Sequence, residues 1–278
     1  MQTGPMHDGH ADDYLARIGA RKPDRPDAAA LAELTRRHLA TVPFENLSIH
    51  LGEPIALDED AFLDKLVTRR RGGFCYELNG AFGALLAQLG YDVTLLAARV
   101  FGPGGGLGPP YDHLALRVDL AEDREGDPGE EEPWLVDVGF GRFVAEPLRL
   151  DERDDQTDPL GTVRLVETGD GDLDVLLDGT PQYRLDLRPR ELDEFEATCW
   201  FQQTHPTSHF ASSLVCSLPT DDGRVTLSER LLVTTAGGER TEVMLASDAE
   251  VLACYRERFG ITLDRVPTLT APAADLVR

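Results

Sequence analysis

Three residues of this chain have the types and setting for nucleophilic catalysis: Cys75, His113 and Asp137. Cys75 follows a glycine pair in Arg70-Arg71-Gly72-Gly73-Phe74-Cys75-Tyr76-Glu77-Leu78-Asn79 and precedes the apolar run Ala81 to Leu89, which stops at Gly90. The glycines permit a sharp turn. The run has the length and composition of a buried helix, so Cys75 is expected at a helix N-terminus, where unpaired N–H groups and the helix dipole favour the attacking thiolate. A free cysteine is also a common small core residue, so the assignment rests on its partners. A cysteine nucleophile needs a base to take its proton and a third group to fix the tautomer of that base. His113 stands where a glycine-rich loop enters an apolar strand, and Asp137 interrupts the apolar segment Trp134-Leu135-Val136-Asp137-Val138-Gly139-Phe140-Gly141. A carboxylate there is costly to bury unless paired, and a histidine N–H is the natural partner. The order Cys, His, Asp occurs in papain-like and transglutaminase-like enzymes, so it points to acyl transfer without naming donor or acceptor.

The elements that must position these groups change character along the chain. Helices are expected at Asp12–Ile18, at Ala28–Ala40 behind an Asp27 N-cap, at Asp58–Val67, and after Cys75. His38 reads as structural, and Phe44, in Val42-Pro43-Phe44-Glu45-Asn46-Leu47, as core or pocket wall. From Tyr91 the period becomes strand-like. Strands are expected at 93–101, 114–120, 134–139, 162–167, 173–177 and 183–187, forming a sheet or barrel. The glycine-rich segment 102–110 matches neither G-x-G-x-x-G nor the P-loop and leads to a strand, so it reads as a flexible rim. The acidic stretch 121–133 reads as a solvated excursion. A connecting helix at 191–203, a smaller sheet between 214 and 245, and a final helix from Ser247 to Gly260 complete the chain.

Composition narrows the function. With 278 residues the chain can bury an ample core. Its four cysteines lack framework spacing, no signal pattern opens it, and no apolar stretch reaches the roughly 20 residues of a membrane helix. A reducing, cytoplasmic setting and no membrane partner are therefore expected. The net charge of -23 argues against a nucleic-acid partner. It also means that any anionic ligand must be met locally, by backbone amides or a few arginines. His205 and His209 have H-x-x-x-H spacing, but Pro206 intervenes and no glutamate or C-x-x-C accompanies them, so no metal is expected.

The motifs RRGGFCYELNG, WLVDVGFG, VPFENL, KLV, SHF and FGI together resemble the arylamine N-acetyltransferases over about Tyr14 to Pro267. The resemblance implies a multi-domain α+β fold: a helical bundle (1–92) carrying the nucleophile, an antiparallel β-barrel (93–190) carrying the histidine and aspartate, and a connecting helix with an α/β lid (191–278), around a cysteine-protease-like Cys-His-Asp core. It implies that Cys75, His113 and Asp137 form the catalytic triad of a ping-pong acetyl transfer from acetyl-CoA to an aromatic amine or hydrazine. Gly139, Phe140, Gly141 and Phe210 would contact substrate, while Arg71 and Asn79 would brace the active-site helix. Small-molecule acceptor and CoA are the implied partners, and a homo-oligomer is compatible with the sequence. Two alternatives use the same triad: an amide synthase that releases or closes a polyketide chain, and a cysteine hydrolase.

Overall fold

The computed structural model describes residues 8–120, 132–142 and 144–269. The acidic stretch expected as an excursion lies largely outside them, as does His7. Helices dominate the first third: α1 (Asp8–Ile18), α2 (Ala28–Thr41), α3 (Leu47–Leu51), α4 (Glu59–Leu63) and α5 (Cys75–Gln88). The side chain of Asp27 caps α2 through the Ala30 N–H at 2.9 Å. His38 is buried, bonded through Nδ1 to the Tyr14 hydroxyl at 2.9 Å, with burial and then Arg17 pushing its pKa down to about 3. The segment expected as one helix over 58–67 instead passes at Asp64 into a π-helical turn, Asp64–Thr68. That wider turn carries Lys65 into the interior.

The larger sheet has eight strands in the order β5-β4-β3-β2-β9-β8-β7-β6: β2 (Asp92–Val100), β3 (His113–Asp119), β4 (Pro133–Val136), β5 (Leu148–Arg149), β6 (Gln156–Asp158), β7 (Gly161–Glu167), β8 (Leu173–Leu177) and β9 (Thr180–Arg190). It is barrel-like and nearly closed. Its two edges are bridged by a side chain: Gln156 accepts from the Arg149 N–H at 2.7 Å and donates to the Arg149 carbonyl at 2.9 Å, imitating a peptide unit. Leu96, Ala98, Ala115, Leu135, Val163 and Tyr183 are among the residues that fill the interior. On the opposite face, Leu114, Leu116 and Val118 join α5 and the N-terminal helices in a second core. Strand β3 is therefore buried on both faces, which explains its near-continuous apolar run.

After a 3-10 turn, α6 (Glu196–Thr204) and α7 (His209–Ser212) lead to a second sheet of β10 (Val215–Thr220), β11 (Gly223–Ser228), β12 (Leu231–Ala236) and β13 (Glu239–Met244). Helix α8 (Asp248–Phe259) buries Val251, Cys254, Tyr255 and Phe259 against it. One strand of this sheet comes from the other end of the chain. β1 (Phe44–Glu45) pairs with β10, Phe44 opposite Ser217 and Glu45 opposite Cys216.

Candidate active site

The loop that leads to Cys75 is held by backbone contacts. Residues 71–73 run beside β1, with the Glu45 N–H donating to the Gly73 carbonyl at 2.8 Å. A Cβ on Gly72 would fall 1.9 Å from the Pro43 carbonyl oxygen, so only glycine permits this approach. Beneath the loop lies a buried charge cluster. Arg71 donates through Nε to Glu45 at 3.0 Å and through Nη1 to Glu53 at 3.4 Å, and Lys65 meets Glu77 at 2.6 Å. Burial alone would raise the Glu45 carboxyl, but Lys65 and Arg71 hold it below the usual range. For Glu77 burial wins, and its pKa is raised. The second oxygen of Glu77 accepts from the Phe74 N–H at 3.3 Å, satisfying an otherwise orphaned donor where α5 begins. Cys75 is thus the first residue of α5.

Sheet register brings the other two groups together. Leu116 pairs with Val136 across β3 and β4. One further step sets Asp137 opposite Ala115, and His113 lies two residues from Ala115 on the same face. Asp137 itself has left the strand: it stands in the turn after β4, a correction to the expectation of a strand over 134–139. Its Oδ2 accepts from His113 Nε2 at 2.7 Å, and its Oδ1 accepts from Asn79 Nδ2 and from the Gly139 N–H, both at 2.9 Å. Cys75 Sγ lies 3.8 Å from the carbonyl of Asp112, the residue before His113, and Cys75 acts electrostatically on the imidazole. All three residues are buried.

Asn79 ties the assembly to the helix. One turn along α5 from Cys75, it donates to Asp137 and to the Leu114 carbonyl at 2.6 Å, and accepts from the Val138 N–H at 2.9 Å. Gly139 packs so closely on α5 that a Cβ would fall 2.7 Å from the Cys75 Cα. Phe140 stands edge-on to the His113 ring at 5.2 Å, and Gly141 adopts φ +85° against the Phe44 ring. Phe210 packs on Phe74 and Phe44, at centroid distances of 5.3 and 6.1 Å. The segment 102–108 folds back on its own strand, its turn closed by Gly102 N–H to Gly106 carbonyl at 2.8 Å. His205 caps α6 while His209 opens α7, so the two do not share a helix face.

Two neighbours carry no motif that would have revealed them. The Tyr183 ring packs at 5.1 Å on His113, and its hydroxyl faces Asp137; burial and then that carboxylate raise its pKa well above the ordinary value. Register alone places it: Ala98 pairs with both His113 and Leu185, and Tyr183 is two residues further along β9. Asp112, whose carbonyl faces Cys75, accepts the Val100 N–H at 3.0 Å through its side chain, and burial raises its pKa to about 6.

Burial alone would lower the His113 pKa, but Asp137 beside it and then Cys75 raise it more, to about 10. The imidazole is therefore cationic near neutral pH. Because the folded pKa exceeds the unfolded one of 6.5, this pair's stabilisation is complete below pH 6.5 and disappears as pH rises through about 10. Urea midpoints between those limits should fall with pH in the native chain, and His113→Gln should flatten the fall.

A cleft of about 720 Å³ opens beside this centre, with Asp137 and Phe140 in its lining together with Phe44 and the β10–β11 hairpin. The N-acetyltransferase family matches residues 27–267. The chain belongs to this family. The arylamine N-acetyltransferase of Mycolicibacterium smegmatis is 37% identical over 257 residues, spanning 90% of this chain and 91% of the relative. The solved structure of the Mycobacterium marinum arylamine N-acetyltransferase in complex with CoA superposes with a TM-score of 0.78 at 37% identity, covering 90% of this chain and 92% of that one. For the Salmonella typhimurium arylamine N-acetyltransferase these values are 0.82 and 30%, with 95% of both chains covered.

Proposed function

We propose that the chain transfers an acetyl group from acetyl-CoA to an aromatic amine or hydrazine through a thioester on Cys75. The observation that carries this reading is the buried group Cys75, His113 and Asp137 beside a cleft, with His113 and Asp137 joined by a 2.7 Å hydrogen bond. The Cys75 thiolate, paired with the His113 imidazolium, attacks the thioester carbonyl. CoA leaves as a thiol after taking a proton from the imidazolium. The acceptor nitrogen then attacks acetyl-Cys75 and loses its proton to His113, and Cys75 leaves as the thiolate beside the re-formed imidazolium. Exchange between two thioesters is nearly isoenergetic, which makes a cysteine a suitable way station. Backbone N–H groups around Cys75 hold the oxyanion. Asp137 orients His113, Asn79 and Arg71 hold the supporting frame, and Gly139, Phe140 and Gly141 border the acceptor, with Phe140 facing its ring and Phe210 contributing from the other side.

We assign residues 1–92 to a helical unit, 93–190 to the barrel and 191–278 to the connecting helix and lid. We place the protein in the cytoplasm: its four cysteines are free and buried, and no helix among the described residues is long and apolar enough to cross a membrane. The amide-synthase alternative is not favoured, since the relatives above are named as arylamine N-acetyltransferases. Intact-protein mass spectrometry after incubation with acetyl-CoA tests the reading. A single acetyl adduct should form, disappear on adding an arylamine, and be absent in Cys75→Ala. CoA release at an undiminished rate from Cys75→Ala would refute it.

A further inference from the structure

The second sheet supplies one wall of the cleft, and that wall holds an arginine with no counter-charge among the described residues. Arg224, near the start of β11, lines the same cavity as Asp137 and Phe140. Its Nη1 donates to the Ser217 hydroxyl at 3.0 Å, and Ser217, itself buried, is fixed in turn by Thr226 at 2.8 Å. Among the described residues no carboxylate pairs with Arg224. Asp221 and Asp222 share its hairpin, yet the charge that acts on it is the like charge of Arg142. Burial first, and that repulsion second, lower its pKa to about 10, so it remains cationic at neutral pH. Other arginines in this acidic protein find acids: Arg71 meets Glu45, Arg184 meets Asp174 and Arg190 meets Asp186. Arg17, which is buried, is met by the Leu66 carbonyl. A half-buried guanidinium without an anion is left only partly compensated, and its planar fork suits a bidentate oxyanion.

We propose that Arg224, tethered by Ser217, is a specificity-determining residue of the cleft that binds an oxyanion carried by a substrate. The inference rests on the acetyl-transfer reading above. A net charge of -23 repels any free anion, so a local cation of this kind is what would admit one. Two sources offer the chemistry: a carboxylate on the acceptor ring, or a phosphate of CoA.

The test measures steady-state kinetics of the native chain, Arg224→Met and Arg224→Lys with two acceptors, 4-aminobenzoate and the neutral 4-aminobenzamide, and two donors, acetyl-CoA and phosphate-free S-acetylpantetheine. Turnover of the neutral acceptor with the phosphate-free donor by the native chain tests acetyl transfer itself, apart from Arg224. Arg224→Met should raise KM about tenfold or more for the substrate bearing the oxyanion and leave the all-neutral pair within about twofold. A rise confined to 4-aminobenzoate identifies the carboxylate; one confined to acetyl-CoA identifies the phosphate. Arg224→Lys keeps the charge and loses the fork, so it should recover part of the loss. If Arg224→Met does not fold, the lysine variant decides, with a selective KM rise of about threefold or more for the anionic substrate. Equal effects on all four combinations, or no effect, would overturn the proposal.

Discussion

Asp137→Asn lowers the rate of Cys75 acetylation by about 10³- to 10⁴-fold while leaving the fold intact. The size follows from the crowding of donors around this carboxylate. Oδ1 already receives the Asn79 amide and the Gly139 N–H, so an asparagine must keep its carbonyl oxygen there. Its NH₂ then faces His113 Nε2, which in the native chain donates to Oδ2 at 2.7 Å. To accept from that NH₂, Nε2 must surrender its proton, and the neutral ring then carries its proton on Nδ1. A ring in that tautomer cannot take the Cys75 proton. The variant also removes the carboxylate that lifts the His113 pKa, so its residual activity should show a changed pH profile. Rapid-quench measurement of CoA release, with the thermal transition followed in parallel, checks both parts. An unchanged acetylation rate in a folded variant would exclude Asp137 as the group that orients the base.

The second large effect is on stability. Lys65→Met removes the partner of Glu77, and Glu45 lies within 4.0 Å of the same ammonium. All three side chains are at most 5% exposed, so water cannot replace the lost charge. Breaking a buried pair from one side costs about 3–5 kcal/mol, whereas replacing both members with apolar residues is far less damaging. Urea unfolding at neutral pH should therefore show a large loss for Lys65→Met and a partial return in Lys65→Met/Glu77→Leu. A single variant as stable as the native chain would mean that Arg71 alone neutralises the cluster. Because Glu77 also holds the Phe74 N–H, the double variant should recover stability more fully than activity.

The geometry around Cys75 and Lys65 was only partly legible in the sequence. Cys75 could be placed at a helix start because glycines and an apolar run are local signals, and α5 does begin there. His113 and Asp137 could be suspected because each is a polar residue in an apolar strand context, and burial makes such residues seek each other. Other features had no local signature. The π-helical turn that inserts Lys65 keeps the composition of an ordinary helix. Strands β5 and β6 are two and three residues long, too short for any alternation to register. Tyr183 reads as one more aromatic in a strand, and only the pairing of β2 with β9 brings it to His113. Arg224 was indistinguishable from the surface arginines until the fold showed that no acid among the described residues pairs with it.

The pairing of β1 with β10 has a consequence for how the enzyme is made. A ribosome releases Cys75, His113 and Asp137 well before it releases Val215–Thr220. Until that segment emerges, Phe44–Glu45 has no strand to lie against, and the loop that leans on Phe44–Glu45 to present the thiol lacks its full backing. The reactive group is thus assembled last although its members are translated first. A stalled or prematurely terminated chain ending before residue 215 carries Cys75, His113 and Asp137 without the strand that backs their loop, and chemistry waits for a nearly whole molecule.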